Sequence, residues 1–243
     1  MRQLLPQPIE QVDLAVLDER GDRRSDGARP WVMANMVMSV DGAYAVDGRS
    51  GGLGSPGDKE ILHRLRAASD VVLVAAGTAR AERYRRPRVE DDAVERRRSH
   101  GLQDHPRLAI VSASLSLPDD LPLLSGPGQV PLVLHPAHVD TAGVPDGVEL
   151  RSAGQDGSVD LADALAGLHR DGARVVLCEG GPSLLGQLHE DDLLDELFVT
   201  VAPWLVGGST VGLLGHHDSL ARPMRLHRLL EQDGSLFATY RRG

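Results

Sequence analysis

The chain has 243 residues, 41% of them hydrophobic, which is enough to bury a substantial core in one α/β domain or two small ones. Lys and Arg number 26 against 35 Asp and Glu, and the net charge of −9 argues against wrapping a nucleic acid while permitting a local basic pocket for a small phosphate. The single cysteine, Cys178, excludes an intrachain disulfide and a cysteine-based zinc site, and no apolar run approaches the roughly 20 residues of a membrane span.

Residues 1–30 mix proline, glycine and charge, most densely from Asp18 to Arg29, and read as an N-terminal arm or long solvent-facing loop ahead of one domain over 31–243. Gln3, Pro6, Gln7 and Pro8 break up the first apolar residues, so no secretion signal is read there and a cytoplasmic protein is expected. The run from Trp31 to Met38 is nearly continuous in apolar residues, the pattern of a strand buried on both faces, with Asn35 interrupting it. Ser55 as N-cap, Pro56 at the first helical position, Asp58 in the first turn, and Ile61, Leu62, Leu65 and Ala68 at helical spacing predict a helix over 56–69.

Val71 to Ala76 is the next buried strand, and Gly77-Thr78 opens a short helix to about Glu82. Between 80 and 105 many arginines stand among acids with few apolar residues, which predicts a long exposed loop or a surface helix. Strands follow at 107–112, 130–135 and 147–150, then a helix at 160–170 with Leu161, Leu165 and Leu168 on one face. A buried strand ending at Cys178, a helix to about 189, a strand at 195–201, a loop from Pro203 to Gly215, and strands at 224–231 and 235–241 complete the chain. Strands alternating with helices predict an α/β sheet with crossovers, and the two adjacent terminal strands predict an antiparallel edge.

The polar residues that attract notice sit where buried strands end, the edge at which open α/β sheets place ligands. Ser39-Val-Asp41-Gly42 closes the first strand with a hydroxyl, a carboxylate and a glycine. Gly77-Thr78 closes the second, and Ser112 follows the third. Glu179-Gly180-Gly181-Pro182-Ser183 has the form of a phosphate-holding strand-to-helix turn, because glycines let backbone N–H groups approach an anion without an intervening Cβ. A carboxylate such as Glu179 at the end of a buried strand must be hydrogen-bonded, paired or partly protonated.

Taken in order, Met38-Ser-Val-Asp-Gly42, Leu65-Arg-Ala-Ala-Ser-Asp70, Gly77-Thr78, Glu179-Gly-Gly-Pro-Ser183, Asp195-Glu-Leu197, Ala202-Pro203 and Gly207-Gly208 resemble the riboflavin-biosynthesis pyrimidine reductase family. That family includes stand-alone reductases and the C-terminal domain of the bifunctional deaminase-reductase. The resemblance covers about residues 30–242 and implies a three-layer α/β/α, dihydrofolate-reductase-like fold: a mostly parallel central sheet with antiparallel C-terminal edge strands. It further implies NADPH as cofactor, held by Gly42, Gly77, Thr78, Gly180, Gly181, Ser183 and Leu184, with Ser112 at the 2′-phosphate and a cis peptide between the paired glycines. Asn35, Ser39, Asp41 and Glu179 would face the nicotinamide and substrate; Asn35 stands where the two-domain bacterial relatives usually carry lysine. A homodimer is implied as well.

The activity this predicts is reduction of a phosphoribosylaminopyrimidine to the ribitylamino product, with hydride passing to C1′. Asp41, Glu179 and Asn35 are the expected catalytic set, Ser39 a substrate ligand, and Arg83 and Arg86 the expected contacts to the substrate phosphate. No His-x-Glu with Pro-Cys-x-x-Cys is present, so zinc-dependent deamination is not expected, nor is any metal. Two rivals share the fold: a dihydrofolate or dihydropterin reductase, and a catalytically silent dinucleotide-binding protein.

Overall fold

The computed structural model describes residues 1–24, 27–46, 49–155, 157–208, 212–216 and 220–243. The chain begins with β1 (Arg2–Leu5) and, after a 3-10 turn at Leu14–Leu17, enters β2 (Trp31–Ser39). Helix α1 (Pro56–Ala68) leads to β3 (Val71–Ala75), α2 (Ala76–Ala81) and α3 (Asp91–Ser99). Then come β4 (Arg107–Val111), β5 (Leu132–His135), β6 (Glu149–Ser152) and α4 (Leu161–Arg170). The last third holds β7 (Val175–Cys178), α5 (Pro182–Glu190), β8 (Glu196–Ala202), β9 (Met224–Gln232) and β10 (Ser235–Arg242).

All ten of these strands form one sheet in the order β1-β9-β10-β8-β2-β7-β3-β4-β5-β6. From β8 to β6 every pairing is parallel, whereas β10 with β8, β9 with β10 and β1 with β9 are antiparallel. The expected α/β architecture, with its antiparallel C-terminal edge, is the one observed. Two apolar layers flank the sheet. Met33, Ile61, Leu65, Val72, Leu177 and Phe237 belong to the layer under α1, and Val32, Leu73, Leu165, Val176 and Leu185 to the layer under α4 and α5. Alternate residues of β2 and β7 thus feed opposite layers, which is why these strands read as continuous apolar runs.

Helix α1 forms where the sequence predicts it: Ser55 Oγ accepts from Asp58 N at 3.1 Å, Pro56 occupies the first turn, and Ile61, Leu65 and Ala68 are buried. The N-terminal segment departs from expectation, and the arginine-rich segment, which forms the expected surface helix, departs at one residue. In the charged N-terminal stretch, β1 extends the sheet, Leu14 and Leu17 are buried, and Arg23 Nε donates to Glu196 at 2.9 Å. In the arginine-rich stretch, α3 buries Arg97, whose guanidinium donates to the carbonyls of Ala67, Ser69 and Gln103 around the end of α1. A buried arginine persists there because these carbonyls occupy its donors. The middle of the predicted Pro203–Gly215 loop, residues 209–211, lies outside the described residues.

Candidate active site

Strands β2, β3 and β7 are neighbours and parallel, so their C-terminal ends open on the same edge of the sheet. Two turns meet there. Ala75 N donates to Gly180 O at 2.9 Å and Glu179 N to Leu73 O at 3.0 Å, binding the β3–α2 turn to the β7–α5 turn. Gly180 has φ +94, a conformation that disfavours a side chain, and the Gly180–Gly181 peptide is cis. A Cβ on Gly181 would lie 2.5 Å from Thr78 Oγ1, so a side chain there would force the threonine hydroxyl or the turn to move. Gly215, in the loop after β8, packs against the opening turn of α5: a Cβ there would lie 3.2 Å from Ser183 N.

Beside these turns lies a cavity of about 340 Å³, lined by Gly77, Thr78, Gly180 and Gly181 on one side and by Asn35, Asp58, Glu82, Tyr84 and Glu179 among its polar groups. Glu179 has the partners its position demands. Arg66, from the last turn of α1, donates Nε to Oε1 at 2.7 Å and Nη2 to Oε2 at 2.6 Å, and the Tyr84 hydroxyl donates to Oε2. Burial opposes the charge on Arg66, but the glutamate more than offsets it and holds the guanidinium above its ordinary pKa. Burial, reinforced by the adjacent Glu179 charge, pushes the Tyr84 phenol well above its usual range. Glu82 accepts from the backbone N–H and hydroxyl of Ser50 at 3.2 and 3.3 Å.

Asp58 differs from the other two carboxylates. Thr200 Oγ1 donates to its Oδ1 at 2.6 Å, and burial raises its pKa against the opposing pull of that bond and of the Lys59 charge. Asn35 lines the same cavity, and its buried Oδ1 has no hydrogen-bond partner among the described residues.

Ser39, Asp41 and Gly42 do not line this cavity. Ser39 Oγ donates to Asp41 Oδ1 at 2.5 Å, while Val206 N and Gly207 N donate to the same carboxylate. These bonds, that of Ser39 foremost, lower the Asp41 pKa to about 2. Gly42, with φ +88, turns the chain after the carboxylate. Asp41 thus fastens the loop after β8 to the end of β2. Ser112 is buried, and its N–H is used by Leu134 O at 3.0 Å. At the opening of α5, Ser183 is exposed, whereas the Leu184 side chain is buried in the core and leaves only its backbone toward the turn.

The two arginines expected to meet a phosphate lie apart from the cavity lining. Arg86 donates to the carbonyls of Leu123, Leu124, Gly126 and Gly128, fixing the segment after the 3-10 turn at Pro122–Leu124. Arg83, exposed and at φ +47, pairs with Asp120 at 2.9 Å.

Sequence reasoning passed over Arg66, Tyr84, Asp58 and Thr200. Arg66 lies within the Leu65–Asp70 motif, and the need of Glu179 for a partner was the available signal. Asp58 reads in the sequence as a first-turn acid, which hides its bond to Thr200.

The family model described as the RibD C-terminal domain matches residues 30–234. The chain belongs to this family. The 2,5-diamino-6-ribosylamino-4(3H)-pyrimidinone 5′-phosphate reductase of Archaeoglobus fulgidus is 26% identical over 213 residues, covering 86% of this chain and 96% of that protein. The reductase of the same name from Methanothermobacter thermautotrophicus is 28% identical over 186 residues, covering 74% and 81% of the two chains. A solved structure of a pyrimidine reductase-like protein from Corynebacterium diphtheriae superposes with a TM-score of 0.73 at 26% identity, covering 87% of this chain and 91% of that one. The family read from the ordered strand-end motifs is therefore the one found.

Proposed function

We propose that this protein is an NADPH-dependent reductase that converts a ribosylaminopyrimidine 5′-phosphate to its ribitylamino product in riboflavin biosynthesis. The observation that carries this reading is the meeting of the Gly180–Gly181 and Gly77–Thr78 turns beside a polar cavity, in a chain of the RibD C-terminal domain family. The donor set fits a dinucleotide: bare glycine backbone at two strand ends, the Thr78 hydroxyl, and the opening turn of a nine-residue helix for a pyrophosphate. Gly77, Thr78, Gly180, Gly181, Ser183 and the Leu184 backbone would hold it, with Ser112 and the guanidinium of Arg80, beside Gly77, toward the 2′-phosphate. NADPH, when bound, supplies the hydride.

The protein's own part is to hold the pyrimidine and manage a proton. Arg66 fixes Glu179 in one orientation, and Glu179 fixes the Tyr84 hydroxyl, so a proton is held between Tyr84 Oη and Glu179 Oε2 at the cavity wall. Asn35 offers an acceptor to the substrate. Asp41 and Ser39 act by positioning the loop after β8, and Gly42 by turning the chain beneath it. Of the two arginines, Arg83 is the one whose exposed ion pair can exchange for a substrate phosphate, while Arg86 positions the neighbouring loop. A cytoplasmic homodimer belongs to the same reading.

The test is NADPH oxidation with a ribosylaminopyrimidine 5′-phosphate, followed by mass analysis. Stoichiometric conversion to the ribityl compound is expected, with no turnover of dihydrofolate. Turnover of dihydrofolate alone would establish the pterin reading, and NADPH binding without turnover of either would establish the silent one.

A further inference from the structure

The N-terminal segment, which precedes the family-matched span, closes a small cavity against β8, β9 and β10. Its volume is about 40 Å³, above the roughly 10–15 Å³ that one water needs, and it shares no lining residue with the candidate active-site cavity. Phe198, Thr239 and Arg228 are level on the three strands and face the same way, and Glu196 and Arg241 are level with each other two residues along. Leu17 and Arg23 cover them: Leu17 is buried, and the Arg23 guanidinium lies 5.8 Å from the centre of the Phe198 ring.

The buried carboxylate of this cavity is already taken. Glu196 Oε1 accepts from Arg241 Nε at 3.0 Å, and Oε2 from Arg23 Nε at 2.9 Å and Trp31 Nε1 at 3.3 Å. Arg228 has no such partner: among the described residues its buried Nε meets no hydrogen-bond acceptor and no ion pair includes its guanidinium. Burial, then the charges of Arg241 and Arg23, disfavour the charge on Arg228 and outweigh the distant pull of Glu196 and Glu19. Burial and the charges of Arg241 and Arg228 likewise hold His227 below its usual pKa. The other two acids of the lining, Glu19 and Asp22, are exposed, and Asp22, its side chain 87% exposed, reaches Arg241 only at 3.9 Å. Arginine does not shed its proton to relieve such a field, so an anion must.

We propose that Arg228, Arg241 and Arg23, with the Thr239 hydroxyl, form a site for inorganic phosphate that pins the N-terminal segment to the sheet. Guanidinium forks match the oxygens of a phosphate, and its charge offsets that of the arginines Glu196 leaves uncompensated. Arg228 gives its donors, Arg241 the terminal nitrogen that otherwise faces only the exposed Asp22, and Arg23 its charge. The cavity's size suits the free ion and leaves no room for an attached sugar. The assignment does not depend on the reductase reading.

The experiment measures amide hydrogen exchange over residues 13–24 in wild type, Arg228→Gln and Arg228→Met, with inorganic phosphate or with chloride at equal ionic strength. Calorimetry supplies the dissociation constant. Phosphate at ten times that constant should slow exchange in the wild-type segment by about 10-fold, the factor by which a ligand bound only to the closed form suppresses opening. Arg228→Gln should abolish the slowing. The Asp18–Arg64 and Arg20–Asp70 ion pairs still anchor the segment in that variant, and Arg228→Met carries the test should Arg228→Gln fail to fold. Phosphate held at the Gly180–Gly181 turn would protect that turn, not residues 13–24, and would do so in every variant. No slowing in wild type, equal slowing by chloride, or slowing undiminished in the folded variants overturns the site. Equal protection by ribose 5-phosphate would overturn its assignment to the free ion.

Discussion

Asp41 holds a loop from an exposed position. Its carboxylate accepts from Ser39, Val206 and Gly207, and these bonds draw its pKa from the ordinary 3.8 to about 2. A depressed carboxylate pKa contributes stability that is fully present above the unfolded value and is lost as pH falls through the folded one. Asp41→Asn should therefore melt at a lower temperature than wild type at neutral pH, with the gap closing between about pH 4 and pH 2; a gap independent of pH over that window would exclude the ionised carboxylate as the tether. Single residues were unevenly legible. Asp41, Asn35 and Glu179 stand out in the sequence because each interrupts or ends an apolar run. Asp58 does not, since the Ser55-Pro56 N-terminus accounts for a first-turn acid without any reference to Thr200. Arg86 misleads in the opposite sense, because an arginine capping four carbonyls looks the same in sequence as one awaiting a phosphate.

At the scale of elements, the β3–α2 and β7–α5 turns work as one unit, joined by backbone bonds and by the contact of Gly181 with Thr78. A methyl group at Gly181, 2.5 Å from Thr78 Oγ1, forces the turns apart or rotates the threonine out of the cradle. Gly181→Ala should raise the NADPH dissociation constant by roughly 10-fold or more, as expected for overpacking, while leaving the far-ultraviolet circular dichroism unchanged. Fluorescence titration giving wild-type affinity would show that NADPH does not use this turn. The turns were legible because glycine pairs after four apolar residues have few other uses. Strand β1 was not, for it has four residues, is followed by prolines, and pairs with β9 more than two hundred residues away: Arg2 is level with Glu231. Helix α3 was half legible: its charge predicts exposure, and only the carbonyls at the end of α1 explain why Arg97 lies inside.

The whole molecule is a parallel sheet whose central strands open on one edge and whose other side is extended by β10, β9 and β1. That plan was largely readable, because β2, β3 and β7 carry the nearly continuous apolar pattern of doubly covered strands while the terminal pair lacks an intervening helix. What the pattern does not convey is order in space. β7 inserts between β2 and β3, and this brings Gly181 against Thr78 and lets Glu179 meet Arg66 of α1. The exposed Val40, Trp204 and Leu205, joined by the bond from Val40 N to Trp204 O, give the proposed dimer an apolar surface beside the loop that Asp41 holds. The most direct test of the whole account uses NADPH carrying deuterium at both C4 positions, with the 2,5-diamino ribosylaminopyrimidine 5′-phosphate as acceptor. A ribityl product with one deuterium at C1′ is predicted; a product without deuterium, or no ribityl product, would contradict it.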